Sequence, residues 1–388
     1  MLGFSTYAAL LPALRDAWSL SNSQAGVVGG MFFAGYVATV SLSTALTDRV
    51  DARWVYLAGG MLAAAASAGF GLAASGFWSA VLFQVILGIG IAATYMPGLR
   101  LLSDRISGPH QSRYIAFYTS FFGIGTALSF AIAGLATPLY GWRAAFLISA
   151  LGPLLAAVSV FALLPGHPPA GAKRFSLGVL FPLRAWAKVL AERASAGYTL
   201  GYAAHCLELF GSRAWMVAFL AYSASLHSGP SFPWHAAAIA AVVNLLAVPA
   251  SIVGNEIALR MGRRRWIVCA MTASGTTGIL LAAGAPWHWA VVLALLIVYA
   301  MLVMAESGTL TAGLVGAVPG ELRGAALGLY SLAGFAGGLA GPVLFGVALD
   351  AAGGASSPLA WIVAYCAIGA GCLAAPLVVR MKPERTPQ

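Results

Sequence analysis

The chain has 388 residues, of which 60% are hydrophobic and only 8% are charged, whereas an ordinary soluble domain has roughly 25% charged residues. A soluble protein of this composition could not cover its surface with polar groups, but a lipid bilayer removes that need. The composition therefore excludes an ordinary soluble domain and predicts a polytopic helical membrane protein.

Apolar stretches of about 20 residues recur along almost the whole chain, and this is the length with which an α-helix crosses the hydrocarbon core. The first stretch is too short to span before Arg15 and Asp16, which predicts that about 15 residues of this helix precede Met1. The stretches predict twelve transmembrane helices, at 1–14, 25–46, 54–74, 77–102, 113–136, 142–164, 195–223, 232–258, 265–284, 288–317, 323–349 and 357–379.

Basic residues are concentrated in alternate loops between these helices. Of the 21 Lys and Arg residues, all except Arg15, Arg143 and Arg213 fall on one predicted side. This is the positive-inside distribution rather than a surface for nucleic acid, so no nucleic-acid partner is expected. It places the loops after helices 2, 4, 6, 8 and 10 and the C-terminus in the cytoplasm.

The longest polar interruption divides the predicted helices into six and six. It covers 165–194 and separates an N-terminal domain at 1–164 from a C-terminal domain at 195–388. Its second part, 175–193, mixes aromatic and aliphatic residues with basic ones, which predicts an amphipathic segment on the cytoplasmic membrane surface. A plain linker is the alternative.

The two halves resemble each other at an offset of about 210 residues, in the range that indicates a repeat of whole helical bundles. Pro109 and Arg113 correspond to Pro319 and Arg323, and Arg49 corresponds to Arg260. The matched loops are all on the predicted cytoplasmic side. The expected fold is thus an all-α membrane protein with two six-helix bundles related by a pseudo-two-fold axis along the membrane normal.

Three loops resemble those of the major facilitator superfamily. TALTDRVDARW, at 44–54, keeps Leu46, Asp48, Arg49 and Arg53 of that family's pattern G-x-L-a-D-R-x-G-R-R, with Thr44 and Asp51 where glycines are usual. The loop after the eighth helix keeps Gly262, Arg263 and Arg264 but has Leu259 in place of an aspartate, and Gly141-Trp142-Arg143 follows the fifth helix.

This resemblance covers essentially the whole chain. It implies a monomeric secondary transporter of the bacterial inner membrane that works by rocking of the two bundles about a midplane site. Two departures argue against a drug/proton antiporter: Gln84 stands where such antiporters have an arginine in helix 4, and 123–136 lacks their glycine-rich helix-5 signature. The run HCLELFGSRAWMVAFL (205–220) resembles cyanate-permease-type transporters, a branch that favours small anions.

Two carboxyl residues lie inside predicted spans, where a charge at the helix centre costs roughly 2.5–3.5 kcal/mol. Glu208 lies in the middle of the seventh helix and Glu306 near the middle of the tenth. The resemblance implies that helices 1, 4, 7 and 10 line the central cavity, so that either glutamate could carry a proton. The alternative is a carboxyl that only ties two helices together. His205 shares a helix face with Glu208 and could tune it, contact substrate, or simply pack.

Other polar residues of the predicted cavity helices complete the candidate site. Gln84 and Tyr95 share a face of helix 4, and Tyr299 accompanies Glu306 on helix 10. Arg213 lies about 140° around the helix from Glu208, and could bind an anionic substrate or form a structural pair. Such a cavity suits a small polar solute, although aromatic residues at this spacing are often only core.

The cytoplasmic motif is interpreted as a gate. Asp48 can accept hydrogen bonds from a helix N-terminus and pair with Arg49, Arg53 or an arginine across the bundle interface. Such contacts close the inner side and break when it opens; the alternative is that these charges only set topology. Glu256 with Arg260 would be the degenerate copy in the second half, and Arg113 and Arg323 flank helices 5 and 11.

The predicted function is proton-coupled symport of a small polar or organic anionic solute by alternating access. The alternative is proton-coupled efflux of a lipophilic or cationic compound. The chain contains no G-x-x-x-x-G-K-[ST] run for ATP, and its histidines are dispersed, so no cofactor and no metal are expected. A nucleophile–base cluster and an added signalling domain are likewise absent from the sequence, which argues against an enzyme and a receptor. The expected partners are the substrate, protons and lipid.

Overall fold

A computed structural model of the chain describes residues 1–106, 111–167, 181–227 and 232–375, apart from the side chains of 111–113, 115–116 and 119–120. All regular secondary structure in these ranges is helical. The helices are α1 (Thr6–Ala17), α2 (Asn22–Leu46), α3 (Ala52–Ala73), α4 (Phe77–Ser103), α5 (Gln111–Leu163), α6 (Leu183–Ala191), α7 (Arg193–Ser225), α8 (Ala236–Ala247), α9 (Ala250–Met261), α10 (Arg263–Ala283), α11 (Trp289–Ala305), α12 (Ser307–Ala317), α13 (Arg323–Ala351) and α14 (Pro358–Leu373), with a 3₁₀ turn at Gly320–Leu322 before α13.

Within the described ranges, eight helical stretches are long and apolar enough to cross a membrane. The all-helical membrane fold is therefore confirmed, while the count of twelve spans stays a prediction. Among the stretches outside those eight, α1 has 12 residues and α14 has 16, and both are shorter than a full crossing of about 20 residues.

Three interruptions divide the long helices. Gly141 adopts φ 79° and ψ 166° inside α5, a conformation that glycine reaches without steric cost, and it separates the predicted fifth and sixth helices. Pro249 separates α8 from α9, and Glu306 separates α11 from α12. The stretches predicted at 232–258 and 288–317 are therefore each interrupted once, although each still forms one apolar stretch long enough to cross a membrane.

Local sequence explains several helix starts. Ser21 begins α2 with a capping box, in which its side chain accepts from the Gln24 amide and the Gln24 side chain accepts from the Ser21 amide. Asp51 caps α3 through the Arg53 amide. Pro358 occupies the first turn of α14, where its missing N–H removes no helical hydrogen bond.

The structure forms two compact units. The first contains Met1–Leu180 and Arg213–Leu245. An aromatic cluster lies in its core, where Phe70 stacks on Phe146 with ring centroids 4.0 Å apart and both contact Trp142. The second unit contains Phe181–Ser212 and Leu246–Gln388, so that α7 contributes to both units.

Close approach between α7 and α13 organises the second unit. A Cβ at Gly337 would lie 2.4 Å from the carbonyl oxygen of Ala203, and one at Gly341 would lie 2.3 Å from that of Leu207. Both distances are too short for a side chain, so only glycine lets these two backbones approach so closely. This close contact holds the first part of α7, including the backbone of Ala203 and Leu207, directly against α13.

The amphipathic segment is described only in its second part. Residues 183–191 form α6, and Val189 is buried in a cluster that includes Ile267, Leu314 and Tyr330. This face of α6 packs on protein. The prediction for 175–180 lies outside the described residues.

A buried carboxyl–histidine cluster as candidate functional site

The second unit contains a buried ion-pair candidate that links α7 to the α11–α12 junction. The Nδ1 atom of His205 lies 3.0 Å from Oε1 of Glu306. The two side chains are 1% and 0% exposed. The sequence grouped His205 with Glu208 because both lie on one helix face, but the hydrogen bond that the structure shows is with Glu306.

Glu208 lies beside this pair. Its Oε2 accepts a hydrogen bond of 2.8 Å from the buried Ser274 hydroxyl of α10. One carboxyl oxygen of Glu208, one of Glu306 and the Sγ atom of Cys372 all lie within 4.8 Å of one another. The structure therefore unites two carboxyl groups that the sequence treated as separate candidates, and adds Ser274 and Cys372.

Aromatic side chains surround the cluster. Tyr202 lies between His205 and Tyr330, with ring centroids 5.7 Å and 3.8 Å away and nearly parallel planes. Tyr299, predicted for this site, is buried on α11 and packs edge-on against Tyr365 at 5.7 Å. These rings give the carboxyl groups a largely apolar enclosure, in which an uncompensated charge is costly.

One carboxyl oxygen of the cluster has no hydrogen-bond partner among the described residues. Oε2 of Glu306 is fully buried, while Oε1 of the same carboxyl faces His205. The hydroxyl of Thr309, one turn further along α12, is also buried without a partner. Buried polar atoms are usually hydrogen-bonded, and exceptions occur at functional sites.

The other predicted binding residues lie in the first unit. Gln84 is buried on α4. Tyr95, also on α4, stacks on Tyr118 at 5.6 Å, and the Tyr118 hydroxyl donates to the Tyr95 carbonyl oxygen at 2.7 Å. Arg213 is buried in the part of α7 that belongs to this unit, five residues after Glu208.

The motif that contains Asp48 forms an ion-pair network within the first unit. Arg100 of α4 lies 3.1 Å from Asp48 and 2.7 Å from Asp104. The expected partners of Asp48 were Arg49, Arg53 or an arginine across the bundle interface, so the structure corrects this pairing to Arg100. The i,i+4 spacing of Arg100 and Asp104 on the last turn of α4 is the signal from which this network could have been found.

Asp51 replaces a glycine of the family pattern and makes a second cluster with Arg53. Its carboxyl accepts from the Arg53 amide at 2.9 Å, from Arg53 Nε at 3.0 Å and from the His167 amide at 2.8 Å. Arg53 also donates to the Leu164 carbonyl oxygen at 2.6 Å. Arg53 is therefore tied to Asp51 and to the end of α5 rather than to Asp48.

The other residues assigned to the gate are exposed or have side chains outside the described part. Arg49, Glu256 and Arg323 are exposed, and the side chain of Arg113 lies outside the described part. In the ranges that the structure describes, Glu256 and Arg260 form no ion pair within 4.0 Å, so the degenerate copy of the motif pair is not formed as predicted.

Asp51→Ala is expected to lower stability by about 1 kcal/mol or more, the usual cost of losing a helix cap. Burial by itself raises the pKa of Asp51, but hydrogen bonds from the Arg53 and His167 amides and the Arg53 guanidinium outweigh it, so this pKa lies below its ordinary value of 3.8. The ionised carboxyl therefore stabilises the fold above that pH, and the contribution is lost as pH falls through the folded pKa.

The measurement is the apparent Tm of wild type and variant in detergent at neutral and acidic pH. The difference between them should shrink in acid. Asp16→Ala is the matched control, because Asp16 pairs with Arg15 but is 71% exposed, and exposed pairs contribute little. Equal, small effects of both substitutions would contradict the assigned role of Asp51.

Known proteins resemble this chain both in sequence and in fold. The niacin transporter NiaP of Acinetobacter baylyi is 25% identical over 142 residues, which cover 37% of this chain and 32% of NiaP. The 4-hydroxybenzoate transporter PcaK of the same organism is 27% identical over 159 residues, which cover 40% of this chain and 34% of PcaK. The alignments thus span about a third of each relative.

Solved structures match over nearly the whole chain. A crystal structure of the nucleoside transporter NupG superposes with a TM-score of 0.74 at 16% identity, covering 98% of this chain and 97% of NupG. A POT family transporter in complex with a thioalcohol-conjugated peptide gives a TM-score of 0.76 at 12% identity, covering 97% and 92%. At such identities the likeness shows the fold.

The sequence itself matches a family model over residues 1–205, more than half of the chain, and that model is the one described as Major Facilitator Superfamily. The assignment rests on the loop motifs, the helical fold and this match together. The suspected cyanate-permease-type branch stays a prediction. The chain belongs to the Major Facilitator Superfamily.

Proposed function

We propose that the protein is a secondary transporter that carries a small organic anion together with protons across the bacterial inner membrane. Family membership favours transport over catalysis. The observation that supports proton coupling is the buried cluster in which Glu306 faces His205 and lies beside Glu208.

The chemistry of this cluster supports reversible protonation. Two carboxylates within 4.8 Å repel each other strongly when buried, and a proton on either removes that repulsion. His205 can hold or release a further proton. The titratable groups around the pair are His205 on α7, Cys372 and Tyr365 on α14, Tyr299 on α11 and Tyr330 on α13. Loading and release would alternate with water access during the transport cycle.

The relatives favour an organic anion as solute. The names of NiaP and PcaK assign them niacin and 4-hydroxybenzoate, and both compounds are small aromatic carboxylates. We extend this class to the present chain. A partly neutralised carboxyl–histidine pair is compatible with an anion nearby, and stacked tyrosines provide aromatic surface.

We further propose the architecture of the transporter. Twelve spans form two six-helix bundles at 1–164 and 195–388, joined by the cytoplasmic segment 165–194, with the C-terminus in the cytoplasm, and the chain acts as a monomer by alternating access. Gln84, Tyr95 and Arg213 contribute to substrate binding. The Asp48–Arg100–Asp104 network belongs to the inner gate, together with Arg49, Arg53, Arg113, Glu256 and Arg323.

Purified protein in proteoliposomes should accumulate 4-hydroxybenzoate or nicotinate when the external side is acidic. With one proton per neutralised anion, an imposed gradient should support up to about tenfold accumulation per pH unit beyond the protein-free leak. Liposomes without protein and a collapsed gradient are the controls. Exchange of a lipophilic cation instead of either acid would favour the efflux alternative, and transport of the acids without any response to pH would remove the proton from the proposal.

A further inference from the structure

Glu306 occupies a break between two helices instead of a helix interior. Its φ is −89° and its ψ is −21°, displaced from the usual helical values of about −63° and −42°. Unlike the break at Pro249, this one involves no proline at or next to the interruption. Ser307 and Gly308 follow the break directly, and two neighbouring helices make close contacts with it.

Two neighbours converge on the carbonyl of Ala305, the residue directly before the break. The indole Nε1 of Trp266, on α10, donates to this oxygen at 3.2 Å. From α9, Gly254 approaches so closely that a Cβ there would lie 1.9 Å from the same oxygen. In a continuous helix this carbonyl would accept from the amide of Thr309, so the indole provides a partner from another helix at the place where the ladder is interrupted.

The first turns of α10 also hold the helix that follows the break. Ile267 and Met271 share a buried cluster with Leu310 and Leu314 of α12. Near the end of α12, the Arg263 guanidinium lies 3.4 Å from the position that a Cβ of Gly316 would take. The first turns of α10 therefore contact α12 both near the break and, through Arg263 in the basic first turn Arg263–Arg265, near its end.

We propose that Trp266 is a positioning residue for Glu306: by binding the Ala305 carbonyl it maintains the break that turns the Glu306 carboxyl towards His205. The same contact connects the basic first turn of α10 (Arg263–Arg265) to the carboxyl–histidine cluster, so a movement of that turn changes the direction of the Glu306 carboxyl. The inference rests on the proposed proton-coupled function, but its structural part concerns protonation at Glu306 and can be measured without transport.

The titration of Glu306 depends on the titratable groups that face it. They are His205 and Glu208 on α7, Cys372 on α14 and Tyr330 on α13. Trp266 is not titratable, so any change in Glu306 titration after its alteration comes through geometry. A purely structural role for the indole would change stability and leave that titration where it is.

The test replaces Trp266 with benzothienylalanine, which keeps the ring size but has sulfur in place of the N–H group. Infrared titration of the purified protein follows the band of the protonated carboxylic acid, identified as that of Glu306 by its loss in Glu306→Gln. Trp266→Phe is the genetically encoded second variant, and the exposed Trp78 receives the same two replacements as control.

We expect both Trp266 replacements to move the Glu306 titration midpoint, and to lower pH-driven uptake roughly fivefold, as follows from one lost neutral hydrogen bond. Both Trp78 replacements should leave the midpoint unchanged. An unchanged midpoint in folded Trp266 variants overturns the proposal, even when uptake falls. If wild type shows no pH-driven uptake, the proposed function fails, and the infrared midpoint alone still decides the role of Trp266.

Discussion

Glu306→Gln is expected to abolish accumulation driven by a pH gradient and to preserve exchange of substrate across the membrane. Glutamine keeps the size and much of the hydrogen-bonding capacity of the carboxyl but cannot lose a proton. Accumulation should therefore fall from as much as about tenfold per pH unit to about onefold. Gradient-driven uptake and counterflow, measured in the same proteoliposomes, separate coupling from transport.

Glu208→Gln distinguishes the two carboxyl groups. Glu208 is held by Ser274, whereas one oxygen of Glu306 has no partner among the described residues, so Glu306 is the better candidate for the proton that moves. We expect Glu208→Gln to reduce expression or stability more than coupling. Glu321→Gln, at an exposed position without an assigned role in transport, is the control. Full accumulation in both cluster variants would show that neither carboxyl carries the proton.

Gly341→Ala should destabilise the second unit by about 1–3 kcal/mol, the usual cost of overpacking a tight contact. The new Cβ would lie 2.3 Å from the Leu207 carbonyl oxygen and 2.9 Å from the Gly211 nitrogen, both backbone atoms of α7. To relieve the clash α7 must shift, and Glu208 follows Leu207 directly. The apparent Tm in detergent should fall by several degrees, and pH-driven uptake should fall with it.

Gly324→Ala is a matched control on the same helix. A Cβ at Gly324 would meet nothing within 4 Å, so this substitution should be neutral or stabilising by up to about 1 kcal/mol, because alanine is the better helix former. Equal Tm values for the two variants would mean that α7 and α13 separate without cost, which contradicts the close backbone contact described above.

The helical membrane fold could be predicted because the length of each apolar stretch can be counted directly in the sequence and compared with the thickness of the bilayer. The tight α7–α13 packing agrees with the closely spaced glycines in 334–341, which are typical of helix contacts, but the sequence does not show which helix they contact. The helix breaks were harder to predict from the sequence. Pro249 is a visible signal, but at the break at Glu306 the contacts come from Trp266 and Gly254, which are distant in sequence and meet one carbonyl only after folding.

The sequence predicted some members of the candidate cluster but not how they pair. Glu208 and Glu306 stand out because carboxyl groups inside spans are rare. Helical periodicity places His205 with Glu208, but periodicity describes one helix and cannot give the distance to another. Cys372 was not among the predicted site residues, because nothing in its own helix marks it. Its position beside two carboxyl groups arises from α14 folding against α7.

Arg100 illustrates how one side chain can act at two moments in the life of the protein. During membrane insertion a basic residue at a span end helps to retain that end in the cytoplasm, and nearby acidic residues count little in this decision. In the finished structure the same guanidinium lies between Asp48 and Asp104, so its charge is compensated. A charge that would favour one orientation of α4 during insertion is thus neutralised by two carboxylates after folding, while the side chain stays 40% exposed.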